Sequence, residues 1–114
     1  MSEGRSANVA LLRRLSPLDG MKNDNLAALA RKVTINELAA GRTLFKEGDA
    51  DRKSYWLVAG MVELREGERT VAMIRSGTPE ARNPLAPKLP RRVSARAVDA
   101  IEYIAVDSDL LDMM

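Results

Sequence analysis

The sequence predicts a mostly-β domain, a sandwich or barrel of short strands preceded by two helices. Three observations carry that expectation. Apolar residues recur at helical spacing in the first third of the chain. After Val33 the texture changes to seven short apolar or alternating runs. Glycines at Gly41, Gly48, Gly60, Gly67 and Gly77 punctuate those runs, and glycine reverses a chain at the least steric cost. Short strands separated by turns, without helices between them, point away from a βαβ arrangement.

The first helix is expected over "ANVALLRRL", Ala7 to Leu15, where "SPLDG" breaks it with Pro17 and Gly20. "NDNLAALARKV" forms the second, with Asn23 or Asp24 as cap and Leu26, Leu29, Ala30 and Val33 along one apolar face. Strands are expected in "VTINEL", "RTLFKE", "SYWLVA", "MVELR", "TVAMI", "RRVSARAV" and "IEYIAV". "LREGERTV" reads as a hairpin turning around Glu66 and Gly67. The final "DSDLLDMM" starts like a helix, and its terminal apolar residues suggest a fragment of a longer protein. The organisation is therefore a helical segment over 1–33, a β unit over 34–106 and the start of a C-terminal helix over 107–114.

With 114 residues the chain holds one domain and one modest core. Its net charge of +2 does not by itself advertise a nucleic-acid or membrane ligand. The distribution is more informative. Between Arg75 and Arg96 six basic residues face the lone Glu80, whereas 99–114 carries five acids and no base. Absence of histidine and cysteine excludes disulfides, the usual zinc sites and the Ser/His or Cys/His nucleophile pairs. No apolar run approaches the roughly 20 residues that span a bilayer, and the N-terminus lacks the apolar core of a signal peptide. A cytoplasmic, non-enzymatic chain without a cofactor is expected.

"LSPLDGMKNDNLAALARKV" followed by "LAAGRTLFKEGDADRKSYWLVAGMVEL" resembles the cyclic nucleotide-binding domain, the β-roll of catabolite-activator-type regulators, kinase regulatory subunits and gated channels. Its most specific parts are Gly41, the "KEGD" turn, "YWLVAG" ending in Gly60, "MVEL", and Gly77 before the proline-rich loop. The resemblance implies a regulatory β-roll whose phosphate-binding cassette lies in loop 77–92. In the family a Gly-Glu pair opens a short helix, the glutamate accepts from the ribose 2′-hydroxyl, and a later arginine pairs with the cyclic phosphate. "PRRVSARA" puts Arg91 on that arginine, but the same register puts Ala81 on the glycine and Arg82 on the glutamate. Pro84, Pro87 and Pro90 also enter the cassette, where proline removes amide donors. A hydrogen bond to a charged group contributes about 1.5 to 3 kcal/mol, so the lost glutamate weakens a cyclic mononucleotide roughly 10 to 150-fold. Poor cyclic AMP binding is the expectation.

Candidate ligand residues are thus Arg82, Arg91, Arg92 and Ser94, with Lys88 and Arg96 adding charge. Guanidinium groups grip phosphates bidentately, so a cyclic nucleotide or cyclic dinucleotide is the candidate ligand. Arg92-x-x-x-Arg96 and Arg96-x-x-Asp99 also resemble arginine motifs of cyclic di-GMP receptors, although Arg92 and Arg96 equally suit a solvated strand face. The competing expectation is a defunct pocket in a domain that works through a protein partner or an output domain. Glu47 and Asp49 read as turn residues, and Phe45, Tyr55, Trp56 and Tyr103 as core. With no aromatic in the basic loop, direct nucleic-acid binding is not expected. Oligomeric state is not legible.

Overall fold

A computed structural model describes residues 5–6, 8–16, 18–86 and 90–112. Pro17, Pro87, Lys88, Met113 and Met114 lie outside them. After the two-residue strand β1 (Arg5–Ser6) come helices α1 (Val9–Leu12) and α2 (Asn23–Lys32), with a 3-10 turn at Leu18–Gly20 between them. Strands β2 (Thr34–Leu38), β3 (Thr43–Phe45), β4 (Lys53–Ala59), β5 (Met61–Glu66) and β6 (Arg69–Arg75) follow. A second 3-10 turn, Pro79–Arg82, opens the proline-rich loop, and β7 (Ser94–Ala97), β8 (Ile101–Asp107) and α3 (Ser108–Asp112) complete the chain.

The strands form two four-stranded antiparallel sheets, β1-β2-β8-β4 and β3-β7-β5-β6. Each of the seven expected strands is present, and the fold is the expected mostly-β roll with helices at its start. Side-chain alternation makes β4, like β8, contribute to both halves of the core. Tyr55 and Leu57 join Phe45, Val62, Leu85, Ala95 and Ile101 between the sheets. Trp56, pointing the other way, packs with Leu12, Leu18, Leu26, Leu29 and Ile104 beneath the helices. The aromatics are core residues as expected, with Tyr103 half-buried against the inter-sheet cluster.

Several boundaries differ from the expected ones. Helix α1 is capped by the Asn8 side chain, which accepts from the Leu11 amide at 2.8 Å, and it ends at Leu12, not Leu15. Beyond it the Arg14 and Leu15 amides donate to the carbonyls of Leu11 and Leu12, three residues back, so the chain tightens out of α-helical geometry. The cap of α2 is Lys22, without a side-chain hydrogen bond; Asn23 and Asp24 occupy the first turn. There Asp24 complements the positive helix start, as Arg31 and Lys32 do its end. The hairpin places Gly67 and Glu68, one residue later than expected, between the paired Glu66 and Arg69.

Glycine is required at Gly60, where β4 passes into β5. Its φ is +91°, and a Cβ there would approach Asp99 Oδ1, Ala100 O and Ile101 Cγ2 to 2.7–2.8 Å. Asp99 occupies that space because its carboxylate accepts from the Met61 amide at 2.9 Å.

Candidate functional site

Loop 77–92 joins β6 to β7, and Pro79 and Pro84 shape its first part. Pro79 occupies the first position of the 3-10 turn, where a missing amide costs nothing. Asn83, immediately before Pro84, is extended (φ −96°, ψ 155°), so the turn cannot lengthen into a helix. The chain then dips inward: Leu85 is buried, and its amide donates to the Tyr55 carbonyl at 2.8 Å. Ala86 has φ +39°, a left-handed conformation that costs an L-residue roughly 1–2 kcal/mol.

That conformation accompanies a carbonyl directed at Arg91. The Arg91 amide donates to Asp49 O at 2.7 Å, and Arg91 O accepts from the Gly48 amide at 2.7 Å. Both backbone groups of Arg91 are thus tied to the "KEGD" turn, which explains why β7 starts only at Ser94. The guanidinium is 0% exposed. Its Nη1 donates to Ala86 O at 2.8 Å and at longer range to Leu85 O. Its Nη2 donates to Asp51 Oδ1 at 2.7 Å and to the Lys53 carbonyl. Phe45 and Tyr55 place their rings 4.5 and 5.2 Å from the guanidinium carbon, within cation–π range. Only Nε, buried and without a partner among the described residues, remains.

Asp51 is the residue sequence reasoning missed. It lies forty positions upstream in a charged turn, and neither spacing nor composition links it to Arg91. Burial works to raise the Asp51 carboxyl, but hydrogen bonds from Arg91 and the Lys53 amide, with the charges of both residues, outweigh it. The net effect holds it below the usual carboxylate range. A group whose pKa is lower in the folded state contributes stability above its unfolded value and loses it as pH falls through the folded one. Asp51→Asn should therefore cost about 1–3 kcal/mol at neutral pH. It should also flatten the acid limb of a pH–stability curve measured by urea unfolding; an unchanged limb would show that the pair is not linked to folding.

The other expected site residues are elsewhere. Arg82 donates through Nε to Arg14 O at 3.2 Å and stands 3.4 Å from Asp19, facing the helical arm. Arg92 is exposed in the turn before β7. Ser94 Oγ accepts from the Glu47 amide at 2.9 Å, beside a polar groove that Lys46, Arg65 and Arg96 also line. Arg96 lies across from Thr43 and Glu63 on that sheet, 3.8 Å from the Glu63 carboxylate. Arg82 and Arg91 therefore share no partner. Glu47 and Asp49 serve the turns: Asp49 Oδ2 accepts from the Lys46 amide at 3.0 Å and Glu47 from that of Gly67 at 3.0 Å.

The family model described as the cyclic nucleotide-binding domain matches residues 35–114. Among solved structures, the chain is similar to the regulatory domain of Toxoplasma gondii PKA crystallised with cAMP. The two are 17% identical with a TM-score of 0.75, over 92% of this chain and 42% of that one. A cyclic nucleotide-binding-like protein from Brucella abortus is 23% identical, with a TM-score of 0.72 over 93% of this chain and 95% of its own. The regulatory subunit of a cAMP-independent protein kinase A from Trypanosoma cruzi, bound to guanosine, is 11% identical, with a TM-score of 0.75 over 91% and 38% of the respective chains. This chain spans about two fifths of the PKA regulatory structures it resembles. No curated protein matches it significantly. Among the described residues no helix is long and apolar enough to cross a membrane. Two antiparallel sheets, an inward-dipping loop between β6 and β7, and a family match over most of the chain establish that it belongs to the cyclic nucleotide-binding domain family.

Proposed function

We propose that the chain is a non-enzymatic regulatory module whose nucleotide pocket has diverged, so that it binds cyclic AMP poorly. One observation carries the reading: the guanidinium of Arg91, which the resemblance matches to the family's phosphate arginine, is spent on the chain's own Asp51, Leu85, Ala86 and Lys53. A phosphate seeking it would have to compete with a carboxylate already in contact and with two aromatic rings. At position 82, where the resemblance implies a glutamate, Arg82 supplies a donor and faces the helical arm. A cyclic dinucleotide would have to recruit Arg82, Arg92 and Arg96 from separate places, and they share no partner. The T. cruzi relative, described as cAMP-independent and bound to guanosine, is a precedent in this fold for a regulatory subunit that does not answer to cyclic AMP.

Calorimetric titration of the folded protein with cyclic AMP, cyclic GMP, cyclic di-GMP and guanosine tests this. The expected outcome is no saturable heat with cyclic AMP up to about 100 μM, a deficit of several kcal/mol against a nanomolar sensor. Micromolar or tighter binding of cyclic AMP would overturn the proposal. Saturable binding of another of the four would name the messenger of a retuned pocket.

A further inference from the structure

Three cations that the environment of Arg91 does not use meet at another place. Arg13, Arg14 and Arg82 line a cavity of about 540 Å³ between the end of α1 and segment 77–82. The size falls within the range of ligand sites, roughly 300–1,000 Å³. Leu11, Leu57 and Val58 supply apolar lining, and no acidic residue contributes to it among the described residues. Its walls are joined: the Ser16 amide donates to Arg82 O at 2.6 Å, and Arg82 Nε to Arg14 O at 3.2 Å. Trp56 Nε1 donates to Ser16 O at 2.9 Å, fixing the arm to β4. The concavity is therefore held open by the fold. The side chains of Arg13 and Arg14 are exposed and make no ion pair among the described residues. That of Arg82 is 58% exposed despite its long contact with Asp19.

Exposed arginines ordinarily mean only a solvated face. Here they border an apolar concavity, and that order of chemistry selects the occupant. A small phosphate concentrates charge where this site is apolar. A peptide with an apolar side chain between carboxylates places each group where its complement stands. We propose that this cavity docks an acidic amphipathic segment of a partner protein. A leucine-type side chain enters against Leu11 and Val58, and flanking carboxylates pair with Arg13, Arg14 and Arg82. The site is separate from Arg91, so it stands or falls independently of nucleotide binding.

Fluorescence anisotropy with a fluorescein-labelled peptide DELLED tests the proposal on the intact chain. Binding in the range of about 10–100 μM is expected, weakening as salt rises from about 0.05 to about 0.5 M. Arg13→Glu combined with Arg14→Glu should weaken it at least about tenfold while leaving the thermal midpoint unchanged, because neither side chain is buried. Arg31→Glu with Lys32→Glu, an equal charge change at the exposed end of α2, should leave it unaltered. The peptides NQLLQN and DESSED, lacking charge and apolar side chains respectively, should each fail to compete. Absence of DELLED binding, equal binding by the Arg13/Arg14 variant, or equal competition by DESSED or pyrophosphate would each overturn the proposal. The last result would assign a general anion site instead.

Discussion

Replacing Arg91 with alanine should lower the unfolding free energy by about 3 to 5 kcal/mol, the usual cost of removing one member of a buried ion pair. The truncation leaves Asp51 facing the space the guanidinium filled, together with the carbonyls of Lys53, Leu85 and Ala86. It also removes the cation that lies over the Phe45 and Tyr55 rings. Arg91→Lys should rescue little, because one ammonium has three donors on a flexible stem and cannot span a carboxylate and three carbonyls in the guanidinium plane. Asp51→Ala with Arg91→Leu, which removes both charges, should recover part of the loss. Urea unfolding of the four proteins measures these differences. A purely ligand-binding arginine predicts the opposite pattern, near-native stability for Arg91→Ala, and that result would remove the structural role assigned here.

The contrast shows which parts of the molecule its sequence makes legible. Alternation and glycine turns announce the strands because both are local: each strand's inward residues and each reversal are written within about ten positions. The order of elements and the aromatic core follow from the same signals and the resemblance. Ends were less legible, as at α1 and β7, where three-residue hydrogen bonds after Leu12 and the backbone ties between Arg91 and the "KEGD" turn override propensity. Least legible was the fate of individual cations. Six basic residues close in sequence look like one site, yet the loop turns Arg91 inward to Asp51, Arg82 toward Arg14, and Arg96 to the far face of a sheet. Partners thirty-three to sixty-eight residues away decide those directions, and no local pattern encodes them.

The second large effect should come from Trp56→Ala, because Trp56 joins the helical arm to the roll. Its side chain is fully buried among Leu12, Leu18, Leu26, Leu29 and Ile104, and its Nε1 donates to Ser16 O. Truncating a buried tryptophan costs about 3–5 kcal/mol through lost burial and the remaining void. Trp56→Phe keeps most of the apolar volume and loses the donor, so about 1–2 kcal/mol is expected. The same strand carries Tyr55 and Leu57 into the other half of the core, so both halves should unfold in one transition in the wild type. In Trp56→Ala the arm should loosen first, seen as earlier loss of protection of α2 amides in hydrogen exchange than of β8 amides. That uncoupling has a consequence for binding. The arm supplies Arg13 and Arg14 to the cavity, whereas Leu57, Val58 and segment 77–82 belong to the roll. Trp56→Ala should therefore weaken DELLED while the β-sheet signal persists, separating a preformed seam from a mere assembly of charges. Unchanged α2 protection and unchanged peptide affinity in Trp56→Ala would show that the arm docks without its tryptophan.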